Sequence, residues 1–168
     1  TDWISNLISG PAVTQFTRRA SPYMGYFNTI SNDNSTFFYS DADAGGPGNT
    51  TNTEIVSPVM DFTGLGADGA INFWHAYLAW FNDIEVAVQY RVGAGAWNNI
   101  QDYTGSSQGT ATNFVNANLL LTAVPRVPNV QIRFHYESIW GYYWAIDNIK
   151  ITGTNTAPIT WTYSPGPN

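Results

Sequence analysis

The chain of 168 residues contains no cysteine, which removes disulfide staples, thiolate metal sites and cysteine nucleophiles together. Basic residues are scarce: one lysine, Lys150, and five arginines stand against twelve acids, for a net charge of −6. A surface of that sign repels phosphate backbones and anionic headgroups, so nucleic acids are disfavoured as partners and cations are favoured. Only His75 and His135 are available as histidines, and neither H-E-x-x-H nor G-x-S-x-G occurs, so zinc hydrolysis and a serine triad lack their parts. Glu54, Glu85 and Glu137 are the only glutamates, and no spacing brings two of them together as a glycosidase pair. No apolar run reaches membrane-spanning length, so membrane insertion is not expected. No signal peptide precedes Thr1-Asp2-Trp3, which reads as a processed terminus or the edge of a longer polypeptide. No ten residues carry a helical period and no repeat recurs.

What is abundant is aromatic and neutral. Apolar residues make up 43%, aromatics 15% and charges only 11%, the balance of a folded chain with an Asn, Thr, Ser and Gly surface. Its length suits one domain that buries about two-thirds of its unfolded surface. Short strand patterns recur between Gly, Asn and Pro turns. Val13, Phe16 and Arg18-Arg19 suggest one early strand, followed by Thr36–Ser40 and by Glu54–Met60, which Pro58 interrupts. Ala70–Trp80 reads as a central strand covered on both faces, and Ile84–Tyr90 as a half-buried one that a turn at Gly93–Gly95 joins to Ala96–Tyr103. Asn118–Thr122, Val130–Tyr136 and Tyr143–Thr152 complete the set. The expected fold is all-β: a two-sheet antiparallel jelly-roll sandwich, concanavalin-like or galactose-binding-like, over residues 1–154, with a closed barrel second. Residues 155–168, rich in Pro and Gly, read as a linker or the start of a following module.

Two acidic features ask for a partner. In Y-W-A-I-D-N-I-K-I-T, alternation puts Asp147 on one strand face with Tyr143, Ala145 and Ile149, and a carboxylate in so apolar a stretch needs a cation, donors or solvent. The loop from Ser40 to Asn52 carries Asp41 and Asp43 ahead of two glycines, oxygens of the kind hard cations take. The helix-loop-helix calcium template fails there, because Gly45 replaces a ligand, Asn52 stands at the twelfth position and no helices flank it. Asp41, Asp43 and Asp147 could instead share one calcium ion. The alternative is that Asp147 accepts hydrogen bonds from backbone amides or from Arg18, Arg19 or Arg133. His75 and His135, both in strands, read as hydrogen-bonded structural residues and not as general bases. Among the aromatics, Trp80, Phe81, Trp140 and Tyr142 sit at loop ends and are candidates for an exposed stacking surface that takes a glycan or a protein. Asn34-Ser35-Thr36 and Asn49-Thr50-Thr51 are glycosylation sequons that matter only in a glycosylating host.

T-F-F-Y-S-D-A-D, E-I-V-S-P-V-M-D-F-T-G, I-N-F-W-H-A-Y, D-I-E-V-A-V-Q-Y and W-A-I-D-N-I-K-I occur in an order that resembles the MAM-like jelly-roll modules. Within that group the chain is similar to the cleaved-adhesin type of bacterial secreted and cell-surface proteins. The resemblance implies a non-catalytic sandwich in a larger polypeptide, secreted or at the cell surface. It also implies a structural calcium, its acids corresponding to Asp41 or Asp43 and to Asp147. One departure is that only Asp2 precedes Trp3, where the family has an acidic strand. The expected role is an adhesion or binding module that recognises a glycan or surface protein through its rim loops and contacts other domains of its own polypeptide. An ancillary domain of a secreted hydrolase, protease or glycosidase, is the alternative, and a structural spacer a third reading.

Overall fold

In a computed structural model, residues 3–156 are described. Among them ten strands run in chain order: β1 (Ile4–Ser9), β2 (Thr17–Arg19), β3 (Phe37–Asp41), β4 (Thr50–Val56), β5 (Ala70–Leu78), β6 (Asp83–Val92), β7 (Asn98–Asp102), β8 (Val115–Leu120), β9 (Val130–Ile139) and β10 (Tyr143–Thr152). They form two five-stranded sheets, ordered β1-β4-β9-β6-β7 and β2-β3-β10-β5-β8. Every pairing is antiparallel. The architecture is the expected all-β jelly-roll sandwich.

Alternation explains what fills it. Val130, Ile132, Phe134 and Tyr136 of β9 and Val86 and Val88 of β6 face Ile71, Phe73 and Tyr77 of β5 and Trp144 and Ile146 of β10. Trp144 is fully buried at the centre, its ring 5.8 Å from Phe134, 6.1 Å from Phe16 and 6.2 Å from Tyr77. Such offset and edge-on contacts add to the burial of large apolar areas. The other face of the second sheet is covered too. Phe37, Tyr39, Ala76, Tyr143 and Ala145 pack there with Phe114, Tyr23 and Phe27, so the segments around residues 20–34 and 105–114 act as a lid on that face.

The early chain differs from the expectation. β1 was not foreseen, because Ile4 and Ile8 lie exposed on an edge strand while Ser5 and Leu7 face inward, which inverts the usual alternation. Val13 belongs to a 3-10 turn, Ala12–Thr14, and only Thr17–Arg19 forms the second strand. β4 starts at Thr50 and ends at Val56, so Pro58 lies beyond it. Buried Thr51 and Thr53 carry the inward face of its first half. β8 begins at Val115, earlier than the apolar run suggested. Asn155 bridges to Leu65, and Thr156 N–H donates to the Gly64 carbonyl at 2.7 Å. The rest of the 155–168 segment lies outside the described residues.

A β-bulge between Asp147 and Lys150 shifts the register of β10 against β5, with Asn148 at φ +52°. Asn tolerates this left-handed region better than most residues. The extra residue reverses the facing of the strand: Asp147 follows Tyr143 and Ala145 outward, but Ile149 and Ile151 return to the main core. Ile149 therefore does not share a face with Asp147, as strict alternation had placed it.

His75 is 1% exposed, with Phe73 at 4.9 Å and Tyr103 at 4.9 Å. Its Nδ1 accepts from Trp144 Nε1–H at 3.3 Å, and burial lowers its pKa to about 4 from 6.5. The unfolded chain therefore binds a proton between those pH values that the fold refuses, and stability contributed by neutral His75 is lost as pH falls through that window. Between pH 7 and pH 4.5 this loss is about 2 kcal/mol. Denaturant titrations at the two pH values check it: His75→Leu should show a pH difference smaller than the parent's by about that amount.

Candidate functional site

The structure separates the three acids expected to share a cation. Asp41 ends β3 and pairs with Tyr143, whereas Asp147 lies four residues further along β10, opposite Trp74. At about 3.3 Å per residue that is roughly 13 Å, too far for one ion. The D-x-D loop is a capped turn: Asp41 Oδ1 accepts the Ala44 N–H at 3.1 Å, and Asp43 opens the 3-10 turn Asp43–Gly45. Burial raises the Asp41 pKa. Among the described residues no group of three or more His, Cys, Asp or Glu is placed to hold a metal.

Asp147 is 4% exposed and finds hydrogen-bond donors instead. Its Oδ1 accepts from Asn148 N–H at 2.7 Å, and both oxygens lie 3.3 Å from the Ser35 hydroxyl. Burial raises its pKa, and the nearby charge of Asp33 adds to the rise. Asp33 in turn accepts from Asn148 Nδ2–H at 2.8 Å. Asp147 and Ser35 thus line a cavity of about 270 Å³ together with Trp3, Arg18, Phe38 and Asn148, and Asp33 joins them through Asn148. This donor set fits part of a calcium shell, with Asp33 and Ser35 in the places expected of Asp41 and Asp43.

The four candidate rim aromatics do come together, from two different loops. Trp80 and Phe81 lie between β5 and β6, Trp140 and Tyr142 between β9 and β10. Ring centroids are 4.4 Å apart for Trp80 and Phe81, 4.8 Å for Trp80 and Tyr142, and 6.2 Å for Trp80 and Trp140. Phe27 and exposed Tyr26 extend the row beyond Tyr142. Phe81 is 79% and Trp140 38% exposed, so the cluster is an open edge-on aromatic surface and not a satellite core. The loops are held from below: Asp83 Oδ2 accepts the Tyr77 hydroxyl and the Trp80 N–H, the latter at 2.6 Å. Trp140 N–H donates to the Asn49 carbonyl at 2.9 Å, and Ala42 N–H to that of Tyr142 at 2.7 Å. The D-x-D loop therefore supports the rim.

A second surface escaped the sequence. The outer face of the first sheet carries a hydrogen-bonded row in which Arg133 donates to Gln89 at 2.7 Å and to Glu54 at 2.8 Å, and Gln89 donates to Asn99 at 2.7 Å. Arg91 and Arg133 each place a guanidinium 4.5 Å from the Trp97 ring centroid. His135 sits between Glu85 Oε2 at 2.5 Å and Asn52 Oδ1 at 2.9 Å. Burial and the Arg133 charge lower its pKa against the pull of Glu85. The signal was the alternation Gln131, Arg133, His135 opposite Glu85, Gln89 and Arg91, which reads as an ordinary solvated face until the strands are paired. Both histidines thus have structural partners, His75 in the core and His135 in this row.

These features define a β-sandwich with an aromatic rim at one end and a polar platform on one sheet. No protein-family model and no curated protein matches the chain. Solved structures do share its fold. The K1 cleaved-adhesin domain of Lys-gingipain from Porphyromonas gingivalis superposes with a TM-score of 0.53 at 16% identity, covering 92% of this chain and 100% of that one. The K3 cleaved-adhesin domain of the same protein gives 0.52 at 14% identity, covering 84% and 92%. TmCBM61, solved with β-1,4-galactotriose, gives 0.51 at 12% identity, covering 90% and 88%. Among the described residues no helix is long and apolar enough to cross a membrane.

The hold of Asp83 on the rim is directly measurable. Tyr77→Phe removes a buried hydroxyl that donates to a carboxylate, and a bond of that kind contributes about 1.5–3 kcal/mol. Thermal and denaturant unfolding should show a loss of that order. Tryptophan fluorescence should also shift toward longer wavelength as the loop bearing Trp80 loosens.

Proposed function

We propose that this domain is a non-catalytic glycan-binding module, acting from the secreted or cell-surface part of a larger polypeptide, and that Trp80, Phe81, Trp140 and Tyr142 form its contact surface. The observation that carries this reading is the convergence of four aromatics from two loops into one edge-on cluster whose outer members remain exposed. Sugar rings present C–H faces that pack on aromatic planes, while their hydroxyls need neutral hydrogen-bonding neighbours. Asn82, next to Phe81, and Asn49, whose carbonyl holds Trp140, supply such groups. Shared fold with both an oligosaccharide-binding module and cleaved-adhesin domains supports the reading, and the MAM-like grouping, which rests on the sequence motifs, belongs with it.

Screening the domain against immobilised glycans tests it. Binding should be found, and Trp80→Ala and Trp140→Ala should each weaken it tenfold or more, whereas Trp97→Ala on the sheet platform should leave it unchanged. Absence of binding, or loss only with Trp97→Ala, would move the function away from the rim.

The calcium implied by the family resemblance is part of the proposal in altered form, held by Asp147 and Asp33 with Ser35, and completed by carbonyls and water. A ligand that binds only the native state raises the melting temperature by mass action. Chelator should therefore lower the midpoint by several degrees, and Asp147→Asn should remove this part of the response.

A further inference from the structure

Alternation along β5 sends Ile71 and Phe73 into the main core and Trp74 and Ala76 to the outer face of the second sheet. Trp74 stands there as the wall shared by two open depressions of about 400 and 520 Å³. The smaller lies against the lid, beside Asn32, Asn34 and Asn113. The larger lies on bare strands, beside Asn72, Asn116 and Asn148. Asparagines from β5, β8, β10 and two loops therefore surround one tryptophan, and all but Asn72 are exposed.

The amides beside the larger depression are held in place. Asn72 Nδ2 donates to Thr152 Oγ1 at 2.9 Å, Asn116 Nδ2 to the Phe73 carbonyl at 3.3 Å and Asn148 Nδ2 to Asp33 at 2.8 Å. Each is thus pinned by its NH2 group, and its Oδ1 is left to accept. Trp74 is half-buried and, unlike Trp3, Trp80, Trp97, Trp140 and Trp144, enters no ring pair or cation contact among the described residues. Its indole N–H has no partner there either. Fixed acceptors, one free donor and one apolar ring make a preorganised surface, which loses little freedom when a ligand arrives. Its charge is slight: Lys150 lines the larger depression, and Asp33 stands behind Asn148. Phosphates and carboxylates therefore find no cluster of cations, and a protein partner finds no broad apolar centre. A ligand whose hydroxyls donate to amide oxygens and whose C–H face packs on an indole is a sugar. We infer that Trp74, with Asn72, Asn116 and Asn148, forms a second site, for a neutral oligosaccharide, on the outer face of the second sheet. Six residues separate Trp74 from Trp80, up to roughly 20 Å at about 3.3 Å per residue. The site shares a ligand class with the rim but none of its residues, and a polysaccharide that reaches both is held with avidity.

Saturation-transfer NMR against unbranched tetrasaccharides of glucose, mannose, galactose and xylose tests the site. Protein carrying both Trp80→Ala and Trp140→Ala, its rim disabled, should still bind one of them, more weakly than the parent. Adding Trp74→Ala should reduce that residual affinity about tenfold. Trp74 also packs against the lid cluster, so Asn116→Ala, at an exposed position of the edge strand β8, is the second variant. It should weaken binding about fivefold and leave the melting transition unchanged. Loss of all binding in the rim-disabled protein would overturn the site, as would binding untouched by both Trp74→Ala and Asn116→Ala; the rim reading stands in either case if the parent binds. Binding that depends on Trp74 and Asn116 but not on Trp80 or Trp140 would support this site and remove the rim. Binding confined to sulfated tetrasaccharides and lost with Lys150→Ala would overturn the neutral ligand. Sedimentation velocity covers a second copy of the chain as occupant: a dimer that Trp74→Ala dissolves would overturn the assignment.

Discussion

The antiparallel insertion of β10 between β3 and β5 is the constraint on which the molecule depends. It buries Trp144 at the centre of the main core and sets Tyr143 against Tyr39 in the outer layer, so one strand contributes to both hydrophobic clusters. It also fixes where every acid can be. Because Tyr143 pairs with Asp41, the start of β10 and the D-x-D loop lie at the rim end, and Asp147 is carried to the other. The bulge at Asn148 then ends the pairing with β3 and turns Ile149 and Ile151 back to the core.

The rim is a consequence of the same register. The loops β5–β6 and β9–β10 leave the sandwich at one end, and Asp83 holds the first by accepting from Tyr77 and Trp80. Tyr77 belongs to the second sheet and Asp83 to the first, so this contact crosses the sandwich where its core gives way to solvent. Burial and the Asp83 charge both raise the Tyr77 pKa, which keeps the phenol protonated as the donor. Polar support directly beneath an exposed aromatic surface lets the rings stand outward without collapsing onto the core, as a binding surface requires.

Much of the fold was legible because strands of this chain alternate cleanly where one face meets the core: β5, β6, β9 and β10 could be read within a few residues. β1 was not, since its isoleucines face outward on an edge and its inward positions are Ser5 and Leu7. The rim aromatics were legible as residues flanking turns. Their contact was not, because Trp80 and Trp140 are 60 positions apart and only strand order joins their loops. The common cation site of Asp41, Asp43 and Asp147 failed for a related reason. Composition shows which acids exist, but a shared ion needs them at one end of a strand pair, and the β3–β10 register puts them at opposite ends.

The amino-acid sequence by itself determined the class of structure. Strand-length apolar patterns without helical period demand sheets, a third of the apolar content being aromatic calls for two sheets packed face to face, and scarce lysine and absent cysteine restrict what the surface and site can do. Tertiary structure alone decided which polar groups are neighbours. Trp80, Trp140 and Tyr142 are separate turn-flanking residues in the chain, and become one cluster only because the β5–β6 and β9–β10 loops leave the sandwich at the same end. Local sequence sets the conformation of each strand, since that depends on a residue and its near neighbours. The convergence of the two loops depends on register between strands, which the whole core fixes at once.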